Sequence, residues 1–541
     1  MKTAFRRFQR RAALHSTALA LGLAAAVALA PAPALAQPTP EAIQAALRGQ
    51  RIQEREIRDF YEARNFRPLW VRDGTLGPEA DALLRIIQSG HIEGLNPRDY
   101  RPNELAEEID EGREGRARRL ARAELLLSRR FVQYVREVRD PNRIGRDDMI
   151  FAEPGLAPRQ PSARAVLDAA AAAPSLAGYI ESFGWMHPLY AGLRAALFSR
   201  PRGLIFIPSG PMLREGSTGE RVHLLRRRLG LAPEGPFDAG VASAVRDFQI
   251  ASDLPVDAIV GAMTLGALNR SSESGFTPQQ ERLIRVNLAR ARALPADPPR
   301  RYILVDAAAA RLWTYENGRV RDTMSVVVGR ETDQTPMIAG MIRTAVLNPY
   351  WNVPPDLAAE RIAPRVLAEG QPYMRSRRYQ VMSDWSDSAR VLDARRVDWA
   401  AVAAGRREVR IRQLPGPDNS MGRMKFEFPN ELGVYLHDTP ERDLLREAAR
   451  QRSAGCVRVE DASRLATWMF GRSMRATGSR PEQRVELPDP MPVYITYLTA
   501  APEGDRIAFR ADSYNRDRAA MAALEAPARP ARNAERRSRR R

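Results

Sequence analysis

Along residues 37–200 apolar side chains recur every three to four positions, the spacing of a single buried helical face. PEAIQAALRGQRIQEREIRDFYEARNF keeps that spacing until Pro68 stops it. EADALLRIIQSG predicts a short amphipathic helix closing at Gly90, and ARRLARAELLLSRRFVQYVREV predicts a long one. PSARAVLDAAAAAPSLAGYIESF and HPLYAGLRAALFS add two further helical stretches. A separate unit covers residues 212–269. There Val222, Leu225 and Leu229 share one face of a first helix, Val241, Val245 and Phe248 share one face of a second, and VDAIVGAMTLGALN supplies a turn and a short third. From Arg301 the pattern becomes that of strands. RYILVD alternates, and RLWTYENGRVRDTMSVVVG predicts two strands about Asn317-Gly318, a strong hairpin signal. IRTAVLNPYWNVPP predicts a strand and a proline-rich loop, and PNELGVYLHD and MPVYITYLTA predict further strands. Between Pro355 and about Gly422 the strand signals thin into a long, partly helical insertion, the kind of segment that serves as a lid or binding loop.

The pattern predicts a multidomain α+β protein. A helical scaffold covers residues 37–205, a three-helix module 206–272 and a helical linker 273–300. A mainly-β catalytic domain covers 301–500, with the helical capping insertion at about 355–422, followed by a C-terminal extension and basic tail over 501–541.

The N-terminus changes the picture of place. MKTAFRRFQRR is basic without an acid, Ala18–Ala30 is an apolar run of signal-peptide length, and Ala34-Leu35-Ala36 offers a cleavage site. Residues 1–36 read as a secretory signal, with an uncleaved anchor as the alternative, and predict an exported protein. Formal charge is +19, of which +5 sits in the signal (Lys2, Arg6, Arg7, Arg10, Arg11) and +6 in the tail from Ala526 (seven Arg against Glu535). The remainder is mildly basic. With no zinc-ligand spacing and no basic stripe interleaved with aromatics, nucleic-acid binding has no support.

The chain has one cysteine, Cys456, which therefore makes no internal disulfide. It is either a small buried hydrophobe or a working thiol. Nineteen residues before it, GVYLHD ends a predicted strand at His437. Thr439 and Pro440 predict the start of a helix running to about Arg450, and Asp461 predicts the cap of another whose Leu465 and Met469 face inward. Strand, helix, turn and helix can bring Cys456 back beside His437. An imidazole there takes the thiol's proton and later gives one to a leaving amine. An ion pair between the two would depress the thiol pKa. Gly455 lets backbone come close to a substrate carbonyl, with the amides near Gly455 and Cys456 as an oxyanion hole. Arg458 either stabilises the loop or grips a carboxylate. Tyr435 alternates in register with His437 and either lines the site or packs the strand. Trp351 is either a substrate platform or core. His91 and His187 read as surface or satisfied residues.

YLHDTPERDLLREAARQRSAGCVRVEDA resembles the active-site signature of the L,D-transpeptidases, cysteine enzymes that cross-link peptidoglycan. His437, Ser453, Gly455, Cys456, Val457 and Arg458 match the family pattern, and VVVGRETDQTP and LNPYWNVPPDLA match further stretches. Ala454 departs from shorter members, which carry histidine there, and leaves His437 as the general acid/base. Residues 212–269 resemble the peptidoglycan-binding three-helix module, with Phe248-Gln249, Asp257, Gly261 and Thr264 as the matching points. The whole chain resembles the large periplasmic branch of the family. The resemblance implies Cys456 as nucleophile, peptidoglycan stem peptides as substrates, carbapenem-type acylating inhibitors as ligands, and neither metal nor cofactor. Two rivals stand beside it: a non-catalytic wall-binding scaffold, and the same thioester chemistry used for hydrolysis or for attaching a protein to the wall.

Overall fold

The computed structural model describes residues 37–525 apart from 114, 146–147, 199–204, 206, 230, 253, 275 and 505. The signal-like stretch 1–36 and the basic tail from Ala526 lie outside the described residues.

The scaffold is built around the helix Ala117–Val138, whose Leu120, Leu127, Phe131 and Val135 are fully buried. The stretch ending at Pro68 is two helices, Pro40–Arg48 and Arg55–Ala63, rather than one. The helix Pro78–Gln88 passes into a 3-10 turn at Gly90 instead of ending there on a left-handed glycine. Glu124 is a buried acid on the long helix. It accepts from the Tyr61 hydroxyl at 2.7 Å and the Trp70 amide at 2.9 Å, and burial raises its carboxyl to about 7. The strand Ile150–Phe151 pairs in parallel with Ile338 and Ala339, so the scaffold lends an edge to the catalytic sheet. His187 is satisfied as the sequence suggests: fully buried, its Nε2 lies 3.0 Å from the Tyr302 hydroxyl.

The three-helix module has its own core, including Val222, Leu225, Val241 and Val245. Helices Glu220–Arg228, Ala239–Ala251 and Ala262–Ser274 form it. Three of its matching points, Gln249, Asp257 and Thr264, form one internal network. The Gln249 amide donates to Asp257 at 2.7 Å, to the Ile259 carbonyl at 3.1 Å and to the Thr264 hydroxyl at 3.2 Å. The linker helix Pro278–Ala291 starts on a capping box at Thr277 and buries Arg290 against Asp517 at 2.7 Å.

In the catalytic domain the hairpin turns at Asn317-Gly318, both at positive φ as a tight two-residue turn requires. The sheet runs, by neighbour, through Met424–Glu427, Leu436–His437, Val457–Val459, Arg319–Gly329, Arg311–Glu316, Arg301–Asp306, Gln483–Thr496 and Ile338–Leu347. Met424–Glu427 also pairs with Ile338–Leu347, which closes the sheet on itself.

One expectation fails here and another is extended. Residues 440–450 are not an α-helix but a short 3-10 stretch, Arg442–Arg446, followed by the strand Gln451–Ser453. Arg442 is drawn to Asp438 at 2.6 Å and to the Glu460 carbonyl, while the Val328 amide donates to Arg450 O at 2.9 Å. These contacts extend the chain against its helical propensity. The insertion is not merely helical. Tyr379–Met382, Val391–Leu392 and Arg410–Gln413 form a second sheet with Trp351–Val353, over a separate core containing Ile362, Val381 and Ile411. The described residues of the C-terminal extension form further elements. Ala500–Glu503 pairs with Arg506–Phe509, and the helix Asp517–Glu525 packs on the linker helix.

Candidate active site

Leu436–His437 and Val457–Val459 are parallel neighbours, with Leu436 opposite Val457 and His437 opposite Arg458. Leu436, Val457 and Val459 are fully buried in the core. Alternation therefore puts His437 and Arg458 on the opposite face, with Tyr435 and Cys456 continuing that face just before each strand. Adjacent strands, rather than a helix folding back, carry Cys456 and His437 on one face. The register leaves them as diagonal neighbours on that face.

Cys456 is half-buried, in a bend between Gln451–Ser453 and Val457–Val459. The bend depends on Gly455, whose φ of 101° disfavours any side chain. Ser453 is buried and its Oγ donates to the Cys456 carbonyl at 2.6 Å. The thiol lies 3.7 Å from the Gly433 carbonyl, and its ionised form would gain from the Tyr435 backbone and from the Arg458 charge.

His437 is buried, and its Nδ1 lies 2.6 Å from the Asp438 carbonyl. A carbonyl only accepts, so this contact assigns the proton to Nδ1 and leaves the lone pair on Nε2. Asp438 is itself held by the Arg423 amide at 2.9 Å and by Arg442. Sequence reasoning missed Asp438 because it acts through its carbonyl, which every residue has.

The electrostatics differ from the expected thiolate–imidazolium pair. Burial pushes the Cys456 thiol up, outweighing the Tyr435 amide and Arg458. Burial, and then the positive Arg458, pull the imidazole down to about 3. Both groups therefore rest neutral near pH 7, and a proton has to move as the sulfur reacts.

Arg458 forms an ion pair with Glu441, so the guanidinium is engaged with the loop after His437. Tyr435 is half-buried, with Lys425 Nζ 5.7 Å from its ring centre. Trp351 pairs through its backbone with Gln413 and lies 6.4 Å from the Tyr379 ring. It packs on the insertion's core, as does Ala454 beside the cysteine, so the insertion flanks the site. Among the described residues, no group of three or more His, Cys, Asp or Glu side chains is placed to hold a metal ion.

Comparison with known proteins divides the chain the same way. Residues 55–197 match a scaffold domain family, 219–268 a family described as "Putative peptidoglycan binding domain", and 300–494 the L,D-transpeptidase catalytic domain. A Haemophilus influenzae protein named "Putative L,D-transpeptidase" is 29% identical over 255 residues, covering 46% of this chain and 50% of that protein. The chain thus spans about half the length of the curated relative it matches. Among solved structures, an L,D-transpeptidase from Mycobacterium smegmatis is 12% identical, covering 36% of this chain and 58% of that one at a TM-score of 0.19. One from Xylanimonas cellulosilytica is 17% identical, covering 53% and 98% at 0.14; superposition at these scores carries no weight of its own. The motif and the domain matches agree: residues 300–494 match the L,D-transpeptidase catalytic domain, beside matches to a scaffold domain and to a peptidoglycan-binding family.

Proposed function

We propose that the protein is an exported periplasmic L,D-transpeptidase that cross-links peptidoglycan stem peptides through a Cys456 acyl-enzyme. The observation that carries this reading is the placement of Cys456 and His437 on one face of adjacent strands, behind a bend that only Gly455 tolerates. His437 Nε2 takes the thiol proton as Sγ bonds to the carbonyl carbon of the third residue of a tetrapeptide stem. The oxyanion is met by the amides near Gly455 and Cys456. The carbon–nitrogen bond to terminal D-Ala breaks, and the imidazolium returns its proton to the departing amine. An amine of a neighbouring stem then attacks the thioester, giving its proton to His437, and the thiol is regenerated. Ser453 holds the Cys456 carbonyl, and Arg458 with Glu441 fixes the loop following the histidine. Tyr435 and Trp351 line the approach. The three-helix module holds polymer, and carbapenem-type inhibitors acylate the same thiol.

Muropeptide analysis of sacculi incubated with purified protein tests this. The wild type should produce stems cross-linked through their third residue. Cys456→Ala should produce none, and a folded His437→Ala should lose about 10²–10⁴-fold in turnover. Near-normal cross-linking by either variant sinks the assignment. Shortened tripeptide stems without cross-links would instead identify water as the acceptor.

A further inference from the structure

We propose that Thr335 and Tyr514 are positioning residues for the oxyanion site, which makes the C-terminal extension part of the active site. Tyr514 lies beyond the stretch 300–494 that matches the catalytic family, so nothing in that match assigns it a role. The inference rests on the transpeptidase reading and deepens it.

Four groups meet at one buried node. The Thr335 hydroxyl donates to the Gly455 carbonyl at 2.8 Å and accepts from the Gly329 amide at 2.8 Å. The Thr335 amide donates to the Tyr514 hydroxyl at 3.3 Å, and that hydroxyl donates to the Gly329 carbonyl at 2.7 Å. Thr335 is fully buried and Tyr514 is 3% exposed, so water does not compete for these bonds. The node is also tight. A Cβ at Gly329 would collide with the Asp333 carbonyl and the Thr335 amide. Tyr514 is itself held by stacking on Tyr497, ring centres 4.9 Å apart and planes 10° apart, and by its amide donating to the Tyr497 hydroxyl at 3.0 Å. Arg516 and Gln334 bond each other at 2.7 Å and tie the same two segments a second time.

The consequence follows from peptide geometry. In a planar trans peptide the C=O and N–H point in opposite directions. Tying the Gly455 carbonyl inward to Thr335 turns the N–H of the same peptide unit, that of Cys456, outward. Ser453 fixes the next unit by binding the Cys456 carbonyl. Among the described residues no backbone acceptor takes the Cys456 N–H. An unengaged amide, aimed by a buried hydroxyl and set at the nucleophile's own residue, is what a developing oxyanion requires. Thr335 and Tyr514 touch neither substrate nor sulfur. They act through the Gly455–Cys456 peptide.

The test compares two reactions of one thiol in the full chain. Carbapenem acylation forms the Sγ–carbon bond, breaks the lactam carbon–nitrogen bond with the thiol proton passing to that nitrogen, and goes through an oxyanion. Alkylation by iodoacetamide forms the Sγ–carbon bond with loss of iodide and needs no oxyanion site. Thr335→Val removes the hydroxyl at nearly constant shape, Thr335→Ser keeps it, and Tyr514→Phe removes only the phenol oxygen. Intact-mass spectrometry should show carbapenem acylation slowed about 10–100-fold in Thr335→Val, less than the roughly 10²–10³-fold cost of removing an oxyanion donor outright, because the amide is loosened and not lost. Tyr514→Phe should show a smaller loss in the same direction. Thr335→Ser should recover most of the rate, and alkylation should stay within about twofold throughout. The proposal is overturned if Thr335→Val acylates within about twofold of wild type. It is also overturned if alkylation falls in parallel with acylation, or if Thr335→Ser is as slow as Thr335→Val. A wild type that takes the iodoacetamide label but no carbapenem would overturn the transpeptidase reading itself, and this proposal with it.

Discussion

Lowering the pH from 7 to 5 should leave Cys456 acylation nearly unchanged. In the proposed mechanism the general base is His437, and its protonated form cannot accept a proton. An ordinary imidazole of pKa about 6.5 is only about 3% neutral at pH 5. Burial and Arg458 hold this one at about 3, which leaves about 99% neutral at the same pH. The buried site therefore keeps roughly 30-fold more of its base than an exposed histidine would. Stability has the opposite sign. A histidine depressed in the folded state contributes stability above pH 6.5 that is lost as pH falls towards 3, here about 2 kcal/mol by pH 5. The assay is the second-order rate of carbapenem acylation by intact mass between pH 4.5 and 8, at temperatures where the protein stays folded. Arg458→Gln removes the second cause of the shift, so its acid limb should move to higher pH. A wild-type rate that drops tenfold or more between pH 7 and 5, with a midpoint near 6.5, refutes the buried, neutral base.

Further outcomes follow from the same structure. Iodoacetamide should add one label, absent in Cys456→Ala, with a midpoint at or above that of an ordinary thiol, because burial opposes the thiolate; a midpoint well below about 8.5 would restore the thiolate–imidazolium pair. Deleting the three-helix module should weaken binding to intact sacculi in a pelleting assay while reaction with a soluble tetrapeptide survives; equal loss on both would make the module a structural support. Gln249→Ala should destabilise the module by about 2 kcal/mol in a thermal melt, since Asp257, Thr264 and two backbone amides lose their partner; an unshifted melt would remove Gln249 from that role.

What could be read from the sequence was local. The Asn317-Gly318 hairpin and the helix capped by Asp461, with buried Leu465 and Met469, depend on neighbours in the chain, and each stands as read. Distant contacts decided the rest. Residues 440–450 have helical composition but are pulled out by Asp438, Glu460 and Val328. The insertion's strands are short and mixed, as in Arg410-Ile411-Arg412-Gln413, and pair across gaps that no local pattern reveals. The motif singled out Cys456 and His437, which adjacent strands carry on one face, but it could not show how burial shifts both groups, because burial is a property of the assembled fold. Tyr514 left one trace, a lone aromatic in the polar stretch RADSYNRDR, too little to link it to Gly455.

The central claim is that Cys456 forms a covalent acyl-enzyme with a peptidoglycan stem. Intact-mass and peptide mapping of the wild-type protein, quenched in acid after mixing with a tetrapeptide stem, measures it directly. The account predicts one adduct per chain, on Cys456, with an added mass equal to that of the stem less that of free D-Ala, which carries off the proton displaced from sulfur, and none in Cys456→Ala. Turnover of the stem by Cys456→Ala, or an adduct mapped to any other residue, would contradict it.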